Sequence, residues 1–308
     1  MNAPPSLTFA QLHANTESAE RLARRILDRH GLGAGCARIG EASQIVFATE
    51  GAHIVKIFAP EDASFFETET VFLDRLHGRL PMRTPALVAS GEVDGFPYIV
   101  MERLPGETLA RVWDSLAAPE RRALLASLGE CTHALHSLSP LLFDCAPFRW
   151  EPFIADQREH AVAIHRRFGL GEEWIAQIPA YLARMPLASG PLVPLHTELM
   201  PEHVLVERSG GAWSLSGLID FEPSMTGLAE YDFCAVGIFL TRGHREVFRD
   251  FLLGYGYSAG DLTDELSRRI MALLLLHRYG NVKRFLDRLP PDERPVTLEQ
   301  LAQYWYGA

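Results

Sequence analysis

Residues 195–206 of this 308-residue chain read LHTELMPEHVLV, and residues 217–222 read GLIDFE. In both segments polar side chains stand at the ends of short apolar runs that are typical of β-strands. The first segment holds four side chains that can transfer a proton or bind a metal: His196, Glu198, Glu202 and His203. Asp220 ends the second run, where a carboxylate commonly ligates a metal. Any one of these residues alone is more often an ordinary loop residue, so their order in the chain carries the functional prediction.

A second chemical signal lies upstream, in the apolar run 53–58. Lys56 and Lys283 are the only lysines among 29 basic residues, so an arginine-rich chain has kept a compact ammonium inside this run. A buried lysine needs a compensating carboxylate or phosphate. Glu67 and Glu69 on the following helix are the candidates, and Glu69 is favoured because it lies on the core-facing stripe. A snorkelling lysine on an edge strand is the alternative.

The chain divides into a strand-rich beginning and a helical remainder. After a helix at 17–31, β-rich runs at 39–46, 54–58, 86–93 and 98–102 surround a second helical stretch at 62–77. The dipeptide Asp94-Gly95 predicts a hairpin between the last two runs. The helices predicted farther along are 118–138, 150–168, 172–185, 246–255, 262–281 and 298–306. Between them, short strands are predicted at 192–195, 204–207 and 215–219. The fold class is therefore α+β, with a small sheet followed by a mainly helical part.

Composition excludes several classes of protein. Hydrophobic residues make up 47% of the chain and charged residues 22%, which excludes a wholly disordered chain. The net charge of −10 argues against a nucleic-acid partner and favours a cationic ligand. No apolar run approaches the roughly 20 residues that cross a bilayer, and the N-terminus has no secretory signal. We therefore expect a cytoplasmic protein without a membrane partner.

These motifs together resemble the aminoglycoside phosphotransferase family, over about residues 20–300. The segment YIVMERLPGETL at 98–109 is similar to the hinge between the family's two lobes, and GLID at 217–220 followed by Tyr231-Asp232 is similar to its metal-binding region. The closing LEQLAQYWYG at 298–307 resembles hygromycin B kinases. The resemblance implies a bilobal protein-kinase-like fold. Residues 1–102 would form an antiparallel-sheet N-lobe with one helix that binds nucleotide, and residues 103–308 a larger helical lobe that binds substrate.

For the nucleotide, the resemblance implies ATP as donor, with GTP as an alternative, and Mg²⁺. Lys56 would hold the α- and β-phosphates and Glu69 would be its ion-pair partner. Met101 would lie at the back of the adenine pocket, and the backbones of Glu102 and Leu104 would recognise the edge of the adenine base. The stretch at 40–47, which includes Ser43, would close over the phosphates through backbone N–H groups.

For the transfer step, the resemblance assigns catalytic roles to His196, Glu198 and Asp220. His196-Thr197-Glu198 stands where the family usually has His-Gly-Asp, so Glu198 would orient the acceptor hydroxyl and accept its proton. His203 replaces the usual metal-binding Asn, and Asp220 would be the second Mg²⁺ ligand. Asp232 would by itself be a helix cap, but the resemblance implies that it braces the loop. Both departures matter, because Glu is a methylene longer than Asp and Mg²⁺ prefers oxygen to nitrogen ligands.

The predicted activity is phosphoryl transfer to a hydroxyl of a cationic small molecule, such as the aminoglycoside hygromycin B, by a monomer. Two alternatives remain open. One is a kinase of an ordinary metabolite such as a sugar or amino alcohol. The other is a binding protein of the same fold that has lost transfer, for which Glu198 and His203 are the motivating residues.

Overall fold

A computed structural model describes residues 7–33, 35–40, 43–185, 187, 190–290 and 294–308. The chain forms two compact units. Unit 1 consists of Met1–Pro105, Cys145–Pro147 and Gly217–Pro223, whereas unit 2 is made of the other stretches: Gly106–Asp144, Phe148–Ser216 and Ser224–Ala308. The segment that carries Asp220 thus groups with the N-terminal part of the chain, although most of unit 2 separates them in sequence.

Unit 1 contains a five-stranded antiparallel sheet in the order β1-β2-β3-β5-β4. The strands are β1 (Cys36–Arg38), β2 (Ile45–Thr49), β3 (His53–Ile57), β4 (Leu87–Val93) and β5 (Phe96–Glu102). Lys56 pairs with Val46 on one side and Ile99 on the other, so it lies on an interior strand. This excludes the edge-strand interpretation of Lys56.

The turns of this sheet follow from local sequence. Asp94 and Gly95 both have positive φ, 52° and 83°, which is the geometry of a type I′ hairpin turn and confirms the predicted hairpin. The single strand predicted at 39–46 is wrong in its bounds. Gly40, with a φ of 69°, ends the first extended segment, and β1 and β2 form as separate strands.

Three helices complete unit 1: α1 (Phe9–Ala14), α2 (Thr16–Arg29) and α3 (Ala63–Leu76). The Asn15 side chain accepts a hydrogen bond from the Ser18 N–H and caps α2, whose buried stripe packs into the core of the sheet. α3 lies between β3 and β4 in sequence and buries Glu69 together with its apolar face. The predicted sheet with an inserted helix is therefore confirmed.

Unit 2 is mainly helical. Its helices are α4 (Leu109–Val112), α5 (Ala118–His136), α6 (Trp150–Arg167), α7 (Glu172–Ile175), α8 (Ile178–Ala183), α9 (Glu230–Ala235), α10 (Arg245–Tyr255), α11 (Asp264–Leu275), α12 (Val282–Leu286) and α13 (Leu298–Tyr306). A π-helix, Val236–Thr241, continues directly from α9. None of the helices formed by the described residues combines the length and apolar character that crossing a bilayer needs.

Two predicted helices are too long. The helix predicted at 172–185 is broken into α7 and α8, because Pro179 stands in the first turn of α8 and cannot continue a helix from before it. The helix predicted at 262–281 ends at Leu275. Gly280 there packs so closely that a Cβ would lie 2.3 Å from the Leu274 carbonyl oxygen, which shows how sharply the chain folds back after α11.

Helices α5 and α10 pack directly against each other through glycine. A Cβ on Gly129 would lie 2.1 Å from the Phe251 carbonyl oxygen, and one on Gly254 would lie 2.1 Å from the Ala126 carbonyl oxygen. Only residues without a Cβ allow the two backbones to approach this far.

Two small antiparallel sheets frame the polar loop of unit 2. Strands β7 (Val193–Leu195) and β10 (Met225–Gly227) form one, and β6 (Glu107–Thr108), β8 (Val204–Ser209) and β9 (Ala212–Leu218) form the other. Residues 196–203 connect β7 to β8 and are called the β7–β8 loop below. The strand prediction therefore placed this loop correctly.

Candidate active site

In unit 1, Lys56 is the centre of an ionic cluster. Its Nζ lies 2.8 Å from Glu69 Oε2, 2.7 Å from Asp220 Oδ1 and 2.8 Å from Glu222 Oε2. Only the contact with Asp220 also has hydrogen-bond geometry, and the contacting oxygens of Glu69 and Glu222 accept no hydrogen bond. Lys56 and Glu69 are almost completely buried, with 7% and 1% of their surface exposed.

The cluster carries more negative than positive charge. Burial raises the pKa of Glu69 to about 7, because the neighbouring Asp220 and Glu222 carboxylates add to desolvation and only Lys56 opposes them. Burial also raises the pKa of Glu222. Desolvation alone would lower the pKa of Lys56, but the three carboxylates outweigh it and raise that pKa well above its ordinary value. One ammonium and three carboxylates have a formal charge of −2, which a divalent cation or two protons would neutralise.

This donor set fits a divalent cation. Single carboxylate oxygens of Glu69, Asp220 and Glu222 all lie within 4.8 Å of one another. Carboxylate oxygens are the ligands that Mg²⁺ prefers, and two of these oxygens lack a hydrogen-bond donor. Among the described residues this is the cluster that could hold a metal, and it contains no histidine.

Packing fixes the segment that carries Asp220. The ring of Phe221, fully buried, stacks on Phe72 of α3 with centroids 6.4 Å apart. The Leu218 N–H donates to the Arg83 carbonyl oxygen at 2.9 Å. Asp220 itself has a φ of 73°, a left-handed conformation that Asp tolerates better than most residues. Backbone strain at such a residue is typical of functional positions.

The residues predicted to read the adenine edge lie at the end of β5. Met101 is buried, and the Glu102 N–H is already donated to the Ala86 carbonyl oxygen at 2.9 Å. Glu102 therefore cannot offer that N–H to a base. Leu104 follows the strand and has 8% of its surface exposed, and no backbone hydrogen bond of Leu104 is formed within the described part of the chain. Leu104 is thus the better donor candidate.

The predicted phosphate loop at 40–47 is described except at two residues. Gly40 has positive φ and Ser43 is exposed, whereas Glu41 and Ala42 lie outside the described residues. Beside Ser43, the Gln44 Nε2 donates to Asp62 Oδ2 at 3.1 Å.

In unit 2, Asp232 organises the β7–β8 loop. Its carboxylate, fully buried, accepts the His196 N–H at 2.9 Å and the Thr197 N–H at 2.5 Å. The His136 Nε2 on α5 lies 3.0 Å from the same carboxylate. Asp232 is in the first turn of α9, but the residue before that helix is Ala229, so Asp232 is not its N-cap.

His277 also holds this loop, through the carbonyl group of Thr197. Its Nε2 donates to the Thr197 carbonyl oxygen at 3.0 Å, and its ring stacks on Tyr231 with centroids 4.3 Å apart. Burial lowers the pKa of His277 to about 4, so the ring is neutral at physiological pH. Thr197 needs this support because its φ is 73°, which a β-branched residue adopts only under constraint.

Within the loop, the two histidines contact Glu198 through its backbone. The His196 Nδ1 accepts the Glu198 N–H at 3.3 Å, and the His203 Nδ1 donates to the Glu198 carbonyl oxygen at 2.9 Å. His196 is fully buried, and its predicted catalytic role stays a prediction. The carboxylate cluster of unit 1 that could hold a metal consists of Glu69, Asp220 and Glu222, and the ligand role predicted for His203 stays a prediction.

Glu198 is half-buried and lines a cavity of unit 2 of about 360 Å³. This volume is in the range of small-molecule pockets. Glu202, from the same loop, also lines the cavity.

The sequence analysis did not identify the residues that support the β7–β8 loop from distant parts of the chain. His136 and His277 belong to predicted helices, where a histidine after several leucines carries no signal of function. The structure also places the Glu222 carboxylate 2.8 Å from the Lys56 Nζ, a contact that the sequence does not indicate.

Known proteins provide an independent comparison. The model of the phosphotransferase enzyme family, APH, matches residues 37–270, which is more than half of the chain. The GDP complex of wild-type aminoglycoside 2′-phosphotransferase-IIIa superposes with a TM-score of 0.70 at 15% identity, and covers 92% of this chain and 97% of that one.

Two further solved structures show the same fold. The streptomycin–ATP–APH(2″)-IIa ternary complex has a TM-score of 0.61 at 17% identity, with 81% of this chain and 88% of that chain covered. Macrolide 2′-phosphotransferase MphH from Brachybacterium faecium has a TM-score of 0.62 at 17% identity, with 83% and 90% covered. The predicted protein-kinase-like fold is therefore confirmed, whereas a special likeness to hygromycin B kinases is not shown.

Proposed function

Because this chain belongs to the phosphotransferase enzyme family, we propose that it transfers the γ-phosphoryl group of a nucleoside triphosphate to a hydroxyl of a small molecule. The observation that carries this proposal is the Lys56 cluster. One buried ammonium with three carboxylates leaves an excess of negative charge, which suits a divalent cation bound together with phosphates.

The nucleotide would bind to unit 1. Glu69 holds the Lys56 ammonium in place, where it would contact phosphate oxygens once a cation neutralises Asp220 and Glu222. Asp220 and Glu222 would hold Mg²⁺ through their carboxylates, and the bound ion would supply charge neutralisation on the phosphates. Leu104 would donate its backbone N–H to the base. ATP is the proposed donor, and GTP is the alternative to be compared with it.

The chemical step would use Glu198. Its carboxylate would accept the proton of the acceptor hydroxyl while that oxygen forms a bond to the γ-phosphorus. The bond from the γ-phosphorus to the bridging oxygen breaks, and the nucleoside diphosphate leaves with that electron pair. His196 and His203 hold the Glu198 backbone, and Asp232 and His277 hold the preceding residues 196 and 197, through the hydrogen bonds described above. The long Glu side chain therefore starts from a rigid loop.

Two classes of small molecule are candidates for the acceptor. Streptomycin is named with one similar structure and a macrolide phosphotransferase is another, and the chain's net charge of −10 favours a cationic acceptor such as hygromycin B. A metabolite kinase is the second candidate, because the cavity beside Glu198 also contains arginines. The cytoplasmic location and the monomeric state stay predictions.

Single-turnover transfer from radiolabelled ATP, with and without Mg²⁺, tests the proposal on parent, Glu198→Gln and Glu198→Asp. We expect Glu198→Gln to lose about two to four orders of magnitude in rate, the range for a positioned general base, with nucleotide affinity unchanged. Glu207→Gln, an exposed change on β8, is the matched control and should keep full activity.

Two results would contradict the proposal. Transfer that survives Glu198→Gln would remove this carboxylate from the mechanism. A faster Glu198→Asp variant, together with an inactive parent that still binds ATP, would identify a binding protein of this fold that has lost transfer.

A further inference from the structure

The cavity beside Glu198 has a second, basic wall. The β7–β8 loop contributes acidic side chains to the cavity. The basic wall comes from α12 and the residues next to it. The residues concerned are Asn281, Arg284, Phe285 and Arg288. They recur at positions i, i+3, i+4 and i+7, which is the spacing of one helix face. We call these four residues the α12 face.

The α12 face is held in place by local contacts. The Asn281 side chain accepts the Arg284 N–H at 3.0 Å and caps the helix. The guanidinium of Arg288 lies over the Phe239 ring, 5.6 Å from its centroid. Both arginines are exposed at the cavity, so their donor groups are available to a ligand.

Among the residues that the structure describes, none neutralises Arg284 or Arg288. Within the described residues, Arg284 and Arg288 form no ion pair, whereas Lys283 on the same short helix pairs with Asp287 at 2.5 Å and does not line the cavity. A guanidinium is always charged and offers only donors, with a planar fork that matches carboxylate and phosphate oxygens.

The charge of the cavity differs from that of the whole chain. Two carboxylates, Glu198 and Glu202, and two guanidiniums, Arg284 and Arg288, give a formal balance of zero, since the ring of His277 is neutral. The excess of acidic charge that the composition shows is therefore located elsewhere. An acceptor whose only charges are ammonium groups would bring them towards two unneutralised guanidiniums, which costs binding free energy.

We propose that the acceptor carries an anionic oxygen group, a carboxylate or a phosphate, in addition to the hydroxyl that is phosphorylated. Arg284 and Arg288 bind this group, and the apolar body of the acceptor packs on Phe285 while its hydroxyl meets Glu198. This inference rests on the proposed function, because it takes the cavity beside Glu198 as the acceptor site.

A series of matched acceptors tests it. Four molecules share a benzyl alcohol body and differ only in the para substituent: 4-(hydroxymethyl)benzoate, 4-(hydroxymethyl)phenyl phosphate, 4-(hydroxymethyl)benzamide and 4-(hydroxymethyl)benzylamine. Transfer from radiolabelled ATP gives kcat/KM for each, and hygromycin B serves as the polycationic reference. We expect the better of the two anions to exceed the amide and the amine by about tenfold or more, and the two anions to show which group the site prefers.

Variants then assign the effect to the α12 face. Arg284→Gln and Arg288→Gln should each lower kcat/KM for the preferred anion about fivefold, the upper range for an exposed ion pair, and leave the amide within about twofold. Lys283→Gln removes one positive charge from the same helix outside the cavity and should change nothing. Calorimetric binding of 4-(hydroxymethyl)benzoate and of the phosphate to parent and Arg288→Gln repeats the comparison without chemistry.

The outcomes separate this inference from the proposed function. A preference for the amine or hygromycin B, or equal use of anion and amide, overturns the anionic acceptor and leaves phosphoryl transfer standing. Loss of anion use in Lys283→Gln as large as in Arg288→Gln overturns the assignment to the α12 face. No transfer to any acceptor by a folded protein that binds ATP, with neither anion bound in calorimetry, overturns both.

Discussion

Replacing Asp232 by Asn should release the β7–β8 loop. The Asp232 carboxylate is fully buried and has three partners: the backbone N–H groups of His196 and Thr197 and the ring of His136. An Asn side chain has one oxygen acceptor. If that oxygen keeps His196 and His136, the new NH₂ group faces the Thr197 N–H, so one hydrogen bond is lost and two become weaker.

The magnitude follows from these contacts. Hydrogen bonds to a charged group contribute about 1.5–3 kcal/mol each, so the loss of one and the weakening of two cost about 3–5 kcal/mol in loop stability. The φ of 73° at Thr197 adds strain, which the hydrogen bond from His277 to the Thr197 carbonyl oxygen resists. Adding Thr197→Gly should recover about 1 kcal/mol, because glycine adopts this conformation without penalty.

Hydrogen exchange followed by mass spectrometry on the peptide that spans the loop measures this directly. A loss of 3–5 kcal/mol corresponds to exchange about 10²–10⁴ times faster at His196 and Thr197. Asp250→Asn is the matched control, since Asp250 forms a partly exposed ion pair with Arg122, and its loss should leave the loop amides unchanged. Unaltered protection of both amides in Asp232→Asn would refute the bracing role.

Three further predictions concern unit 1 and helix packing. Asp220→Asn should reduce ATP affinity in the presence of Mg²⁺ more than in its absence, and calorimetric titrations with equal Mg²⁺ dependence in both proteins would contradict this. Because the pKa of Glu69 is raised to about 7 in the folded protein from 4.5, folding stability should fall by about 3 kcal/mol as pH rises from about 4.5 to about 7. Thermal unfolding at several pH values measures this decline, which Glu69→Gln should largely lack and the exposed Glu67→Gln should keep. Identical pH profiles for the parent, Glu69→Gln and Glu67→Gln would contradict the prediction. Gly129→Ala should destabilise the protein by about 1–3 kcal/mol, because its Cβ would overlap the Phe251 carbonyl oxygen. Urea unfolding checks this against Gly260→Ala, whose Cβ would meet its nearest atom at 3.7 Å, and equal midpoints for the two would show that the helices can separate freely.

Local sequence patterns predicted much of the architecture. The Asp94-Gly95 hairpin, the helix that carries Glu69 and the β7–β8 loop between two strands all depend on residues that are close together in the chain. Hydrophobic periodicity and turn-forming residues act over such short separations, so both can be recognised in the sequence without knowledge of the tertiary structure. The resemblance to phosphotransferases drew on the same local motifs, and the family match confirmed it.

The breaks in the helices were harder to predict because they depend on what the helix meets. The helix predicted at 262–281 ends at Leu275, and His277 beyond it contacts the Thr197 carbonyl oxygen. That contact spans 80 residues of sequence. Tertiary packing overrides propensity at such a position.

The sequence alone determined which residue types can do the chemistry, and the tertiary structure decided which of them meet. The isolated Lys56 and the acids Glu69 and Asp220 were recognisable from composition and order, because a buried charge needs a partner wherever it lies. Their joint contact with Glu222, the support of Thr197 by His277, and the arginines that balance the cavity all depend on long-range folding. The net charge of −10 describes the whole chain, whereas a ligand experiences the few charges within about a Debye length of its site. For this reason only the three-dimensional structure could show that the cavity beside Glu198 is not acidic overall.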